Sequence, residues 1–405
     1  MLERAKKIWR FLRYFFLVRE KTWRQPRKSE VLIFDATGQE ALLEYLGQWM
    51  PEVLHVRGEQ INMLVLLSSL FSIGRKYDAY VDKFIEKVRP RLIVTFIDNN
   101  PAFYSIAVRH QNIKTLFIQN GFRGYFGDVF ETLSGMKSPE NRFKVDYMMT
   151  FGSRIGIEYS KYIRGDVRPM GSLKNNLFPK SLPKKPGTIA FVSQFRETTG
   201  LTLGGLFHTR HAFFEQIDQL VLSFLLKYAK KHDKELFIVP CSGYHKDGTL
   251  QKERAYYDSL LDYAFNFSEW SWRGSSYDAA DSAEIVVSID STFAYETAIR
   301  GNRTAIFSIR SALLGIQGLT YGWPERCSEE GLFWTNRPDP AAFERILDHL
   351  FSISDEQWRV ELSRSGFADI MTYDPGNTIL QSVLLKELGS APGVSNELAS
   401  ATFAS

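Results

Sequence analysis

The feature that most constrains this chain is a repeated unit: a short, unbroken apolar run, a polar end, then a helical stretch. The runs are VLIFDATG (31–38), RLIVTFIDNN (91–100), KTLFIQNG (114–121), YMMTFG (147–152), TIAFVSQFRE (188–197), ELFIVPCSG (235–243), EIVVSID (284–290) and TAIFSI (304–309). Helical patterns lie between and after them, at 38–49, 61–71, 77–90, 101–112, 213–233, 340–351 and 377–389. A strand with one wet face alternates apolar and polar residues. A strand that is apolar throughout is buried on both faces, as in a parallel sheet covered by crossover helices. With 405 residues, the chain is too long for one ordinary domain. The alternation also breaks once, at NNLFPKSLPKKPG (175–187), which has three prolines and three lysines. The expected fold is therefore α/β, with two Rossmann-like lobes whose mostly parallel sheets face a cleft. Its parts are a first lobe at 29–175, a linker at 176–187 and a second lobe at 188–388.

The two ends read differently. Residues 1–28 hold ten Lys or Arg against two Glu, interleaved with Ile8, Trp9, Phe11, Leu12, Phe15, Phe16 and Trp23. The longest uncharged stretch there is Tyr14–Val18, far short of the ~20 residues that span a bilayer. A basic amphipathic helix lying on an anionic membrane surface fits this pattern. Residues 389–405 are small, polar and aperiodic, and read as a disordered tail. The net charge of +4 is modest and the basic residues gather in the first 28 positions, which argues against nucleic acid as a partner. Two cysteines, Cys241 and Cys327, are too few for a disulfide framework and suit a reducing compartment.

Chemistry is expected at the polar strand ends, because ligands of open α/β sheets sit outside the carboxyl ends of the strands. The first lobe offers Asp35 and Thr37, then Asp98, Asn99 and Asn100, then Gln119, Asn120 and Arg123. The second offers Ser193, Gln194 and Arg196, then Ser242 and His245, then Asp290, Ser291 and Thr292. Singly, each is equally a helix cap or a turn former. In SIDSTFAYETAIRG (288–301) a strand runs into a helix whose first N–H groups could hold phosphate. Ser291 and Thr292 add hydroxyls, Glu296 could bond ribose, and Arg196 could neutralise a diphosphate. No GxxxxGK[ST] and no strand-linked GxGxxG is present, which disfavours P-loop nucleotide hydrolases and nicotinamide dehydrogenases. Asp98 ends a buried strand, where desolvation would raise its pKa, so it is the expected general base; a cap for the helix from Pro101 is the bland alternative. His208, His211 and His245 are the other candidate bases. The His208–His211 pair lacks the carboxylates of a metal site, and neither a metal nor a cofactor is expected.

TFIDNNPAFY, IKTLFIQNGFR and VVSIDSTFAYETAIRGNRTAIFS together resemble bacterial surface-polysaccharide (O-antigen or capsule) biosynthesis proteins of the GT-B glycosyltransferase architecture. The resemblance runs over most of residues 30–320. More distantly, the chain resembles the glycerophosphotransferases of teichoic acid synthesis and the bacterial sialyl- and Kdo-transferases. This implies a nucleotide-sugar donor in the second lobe, with Ser291 and Thr292 on its phosphates and Glu296 on the ribose; Ser193, Arg196 and Ser242 join the expected donor set from their places at strand ends. It also implies a glycan or lipid-linked acceptor in the first lobe, positioned by Asn99, Asn100, Gln119, Asn120 and Arg123. Asp98 or His208 would serve as base, without metal, in a cytoplasmic enzyme resting on the inner face of the plasma membrane. Two departures leave donor and stereochemistry open. Ser288 stands where many retaining relatives have the first glutamate of Glu-x7-Glu, and Val239-Pro240-Cys241 replaces the His-Pro pair of the sialyl-type enzymes. Polyol-phosphate transfer and non-catalytic glycan binding are the competing readings.

Overall fold

The structure is a computed structural model that describes residues 18–70, 76–125, 128–180, 183–195, 206–241, 248–269, 271–315, 320–322 and 327–389; the side chains of residues 76, 206–214 and 314 are outside that description. Its strands are β1 (Glu20–Thr22), β2 (Val31–Phe34), β3 (Glu52–Leu54), β4 (Gln60–Asn62), β5 (Leu92–Thr95), β6 (Lys114–Ile118), β7 (Lys144–Thr150), β8 (Arg164–Pro169), β9 (Lys185–Val192), β10 (Glu235–Val239), β11 (Asn266–Phe267), β12 (Ala283–Ser288), β13 (Arg303–Phe307) and β14 (Trp334–Thr335). Twelve of them form two six-stranded sheets, ordered β3-β2-β5-β6-β7-β8 and β11-β10-β9-β12-β13-β14, and β1 pairs separately with β4. Every pairing within these sheets is parallel. The continuous apolar runs are the reason: all four residues of β2 and of β5 are buried, and helices cover both faces. Two Rossmann-like lobes of GT-B type result. The predicted N-terminal helix lies largely outside the described residues; within them, residues 20–22 form β1.

In both sheets the chain starts in the middle, winds outward one way, then returns and winds the other way. The reversal falls between β2 and β5 in the first lobe and between β9 and β12 in the second. At such a reversal the loops leave in opposite directions, and a crevice opens above the sheet edge.

Two boundaries read from sequence are corrected. The linker is not bare: a helix spans Leu173–Leu177, with Ser172 as its cap, and β9 already begins at Lys185. Buried Arg300 pins this stretch to the second lobe. It donates to the Asn175 carbonyl at 2.9 Å and the Phe178 carbonyl at 2.7 Å, while pairing with Asp281 at 2.7 Å. The last helix, Thr378–Leu388, does not belong with the second lobe. Its Leu380, Val383, Leu384 and Leu388 pack against Val31, Ile33, Leu92, Val94 and Ile118 of the first sheet. Each such burial contributes roughly 1.5–3 kcal/mol, so the helix goes where an apolar sheet face awaits a cover. An isolated antiparallel bridge between Gly171, just after β8, and Tyr373 ties the approach to this helix to the first lobe.

Candidate functional site

The carboxyl edges of the two sheets meet between the lobes. The Phe122 ring, in the loop after β6, stands edge-on to Tyr295 of the Thr292–Ile299 helix, centroids 5.1 Å apart. Glu44 of the first lobe pairs with Arg273 of the second at 2.6 Å. Glu296 is held from both sides: the Tyr277 hydroxyl donates to Oε2 at 2.7 Å, and Ser172, just after β8, adds a second bond. Burial pushes the Glu296 carboxyl above the usual range, with those bonds and the charges of Lys174 and Arg300 opposing.

The expected acceptor residues divide. Asp98, Asn120, Arg123 and Gln119 do come together, but as a closed network. Asp98 is fully buried and receives Arg123 Nε at 2.8 Å, Arg123 Nη2, the Tyr159 hydroxyl at 2.6 Å and the Asn120 N–H at 3.2 Å. Its backbone carbonyl accepts from Tyr104. Burial works against the Arg123 cation, yet the adjacent Asp98 carboxylate outweighs it and holds the guanidinium pKa well above its usual value. A carboxylate with this many donors, two of them from one guanidinium fork, has no lone pair left for a substrate proton. Gln119 is equally committed: its amide donates to the Gly121 carbonyl at 2.9 Å and its oxygen accepts the Phe151 N–H at 2.8 Å. Asn100, not Asp98, caps the helix from Pro101, accepting the Ala102 N–H at 3.0 Å. Asn99 is exposed.

The expected donor residues divide as well. Ser193 is buried and turned under the sheet, where it donates to Glu253 and accepts from the Tyr257 hydroxyl at 3.0 Å. Arg196, Ser242 and His245 lie outside the described residues. His208 and His211 fall on the Leu206–Lys231 helix, with side chains outside the description. Ser291 and Thr292 are where the sequence puts them, half-buried at the start of the Thr292–Ile299 helix. Ser291 is the cap, and its hydroxyl accepts the Phe293 N–H at 3.3 Å.

Around Gln194 and Asp290, which the sequence names, the structure gathers two groups that the sequence reading left out, Arg310 and Asp218. Gln194, after β9, donates to Asp290 Oδ1 at 2.8 Å, so it bridges the crevice between β9 and β12. Arg310, at the first turn after β13, reaches the same oxygen at 2.7 Å. Behind them is Asp218, 3% exposed, which accepts the Tyr256 hydroxyl at 2.8 Å. Burial pushes its carboxyl up to about 6, with Arg310 pulling down and Asp290 pushing up. Arg310 could have been suspected from sequence, because it ends the apolar run that follows SIDST. Asp218 could not, since an Asp inside an amphipathic helix looks like solvent-facing charge. In the first lobe, Asp35 takes a left-handed backbone (φ 78°), and its carboxylate pairs with Arg57 at 2.6 Å. This lies at the first lobe's own reversal, beside Phe96 and Gly38. Among the described residues, no three His, Cys, Asp or Glu side chains are grouped to hold a metal ion.

The family described as "putative O-antigen biosynthesis protein" matches residues 116–388, well over half of the chain. The chain belongs to this family. The match spans the Asp98 network's second half, the chain crossings and the whole second lobe. Among solved structures, the wall teichoic acid polymerase TagF is similar at 12% identity and a TM-score of 0.47, covering 96% of this chain and 98% of that one. The S. aureus MnaA–UDP structure is similar at 13% and 0.47, covering 91% and 99%. A glycosyltransferase from Rickettsia africae is similar at 11% and 0.47, covering 89% and 99%. No curated protein matches the chain in sequence.

Proposed function

We propose that this O-antigen-family chain is a glycosyltransferase. It would move a sugar from a nucleotide-sugar donor to a lipid-linked or growing surface glycan. The observation that carries the reading is the crevice between β9 and β12. There the two strand ends, the start of a helix and a cation from β13 converge as Gln194, Asp290, Ser291, Thr292 and Arg310, partly open to solvent. The first N–H groups of the Thr292–Ile299 helix carry the positive end of its peptide dipoles and suit a phosphate. Arg310, held at the edge by Asp290, supplies the charge that offsets the leaving diphosphate. Fixed electrostatics of this kind lowers a barrier by several kcal/mol. Ser291, Thr292, Gln194 and Arg310 are thus the donor set, and Glu296 braces the same helix against the first lobe. Asp98 holds the loop that carries Phe122 to that helix; while its pair with Arg123 stands, it takes no proton from an acceptor.

The test is calorimetric titration of the full chain with UDP, CDP, GDP and their sugar conjugates, followed by product analysis with a lipid-linked acceptor. Selective binding of a nucleoside diphosphate that weakens in Arg310→Met supports the reading. Binding that is absent, or indifferent to Arg310 and Thr292, removes the donor site. Retention of phosphate in the product would instead identify polyol-phosphate transfer.

A further inference from the structure

Along the β3 edge of the first lobe, the basic segment 18–28 forms a strap beside the Met63–Ser69 helix. β1 pairs with β4 in parallel, Glu20 opposite Gln60. Val18 is buried against Ile61, Met63 and Leu66. The Asn62 amide donates to the Arg24 carbonyl at 2.7 Å while its oxygen caps the helix through the Val65 N–H at 3.1 Å. Met63, Val65 and Leu66 of that helix face inward. Its outer face presents Leu64, Leu67 and Leu70, which are 37%, 44% and 45% exposed. A spacing of three makes them a ridge, where a helix facing only water would carry polar residues. Trp23, 60% exposed, stands next to the strap residue that Asn62 grips, and exposed Met50 offers its carbonyl to Arg27 at 2.6 Å. Around these apolar groups Arg19, Lys21, Arg24, Arg27 and Lys28 are exposed, and Glu20 is the one acid of residues 18–28.

We propose that this leucine ridge and its cationic strap dock the first lobe on an anionic lipid surface. Apolar side chains flanked by Lys and Arg are the combination that enters the headgroup region, where each cation is drawn to the surface and salt weakens the attraction. Charge selects this occupant over the alternatives. Residues 1–17 join the strap at Val18 and carry Arg4, Lys6, Lys7, Arg10 and Arg13 against Glu3, so they repel the strap, whereas an anionic bilayer attracts both. A second copy would set strap against strap. The proposal gives the membrane-bound acceptor of the transferase reading its place beside the acceptor lobe, but the binding itself needs no turnover.

The experiment is co-sedimentation of the full chain with phosphatidylglycerol–phosphatidylcholine vesicles and with phosphatidylcholine vesicles. The expected result is binding to the anionic vesicles only, weakened by salt. Leu64→Ser/Leu67→Ser/Leu70→Ser and, separately, Lys21→Glu/Arg24→Glu should each cut the bound fraction by about tenfold, on the order of what losing one buried apolar anchor or two surface cations does. Leu67→Ser alone, with an unchanged melting temperature and unchanged nucleotide binding, covers misfolding of the triple variant and should show a smaller loss of the same sign. Anionic binding that survives the ridge variants but vanishes when residues 1–17 are deleted overturns the proposal, and so does equal binding to both vesicle types. Loss of nucleotide binding with intact vesicle binding would sink the transferase reading and leave this one standing.

Discussion

The end of β5 and the end of β12 are built from the same parts. In each, an apolar strand ends in an Asp that pairs with an Arg at the close of the following unit: Asp98 with Arg123, and Asp290 with Arg310. Yet the Asp98 and Arg123 side chains are 0% and 9% exposed, while Asp290 and Arg310 keep 15% and 11%. Asp98 has both oxygens saturated; Asp290 is shared by Gln194 and Arg310 through one oxygen. Topology does not account for the difference, since β5 and β12 are each the first strand after the reversal of their sheet and each pair reaches to the loop of the next strand. The partners do: the Tyr159 hydroxyl and the Asn120 N–H close over Asp98, whereas Gln194 reaches Asp290 from β9, across the reversal where a crevice opens. The same ion pair is thus scaffold in one lobe and candidate site in the other.

The largest way to break that contrast is Asp98→Asn. Leaving the Arg123 cation buried without its partner should cost about 3–5 kcal/mol, seen as a lower midpoint in urea unfolding. A variant that stays stable but loses activity would restore Asp98 as the base. Next is the pH dependence set by Asp218. Its folded carboxyl titrates at about 6, above the unfolded value of about 3.9. The folded state therefore binds this proton more tightly. The group's contribution is full below the unfolded value and is lost as pH rises through about 6. Asp218→Asn should remove that slope and raise stability at pH 8 by up to about 3 kcal/mol, as read by melts across pH. Arg310→Met should weaken nucleoside diphosphate binding by at least about tenfold, the scale of one charge-assisted contact, while costing less urea stability than Asp98→Asn. An equal or larger loss of stability would make the second pair as structural as the first. Smallest is Ser291→Ala, a lost helix cap costing about 1 kcal/mol in thermal stability, with a parallel loss of nucleotide affinity.

Much of this fold is written in the chain. Runs such as VLIF and LIVT could only be strands of a covered parallel sheet, and SIDSTFAYE reads as strand, cap and helix because each element has its own local chemistry. Less local features escaped. β8, RGDVRP, is mostly exposed and has no apolar signature; it is a strand because β7 offers an edge. The Thr378–Leu388 helix looks amphipathic like any other, and nothing in it says which lobe it covers. In the site, residue types were legible and directions were not. Ser193 and Ser291 both follow apolar strands, but one turns under the sheet to Glu253 and the other caps a helix at the crevice. Asp98 has the sequence of a base and the partners of a buried strut.

The return of the final helix to the first lobe has a consequence for motion. The polypeptide passes between the lobes twice, once near Leu173–Lys185 and again near Met371–Thr378, and Arg300 rivets the first passage. The two passages are also bonded to each other, Asn176 to Asn377 at 3.0 Å and the Asp374 N–H to Asn176 at 3.1 Å. A rotation of one lobe against the other would therefore have to carry both strands of chain through one shared joint.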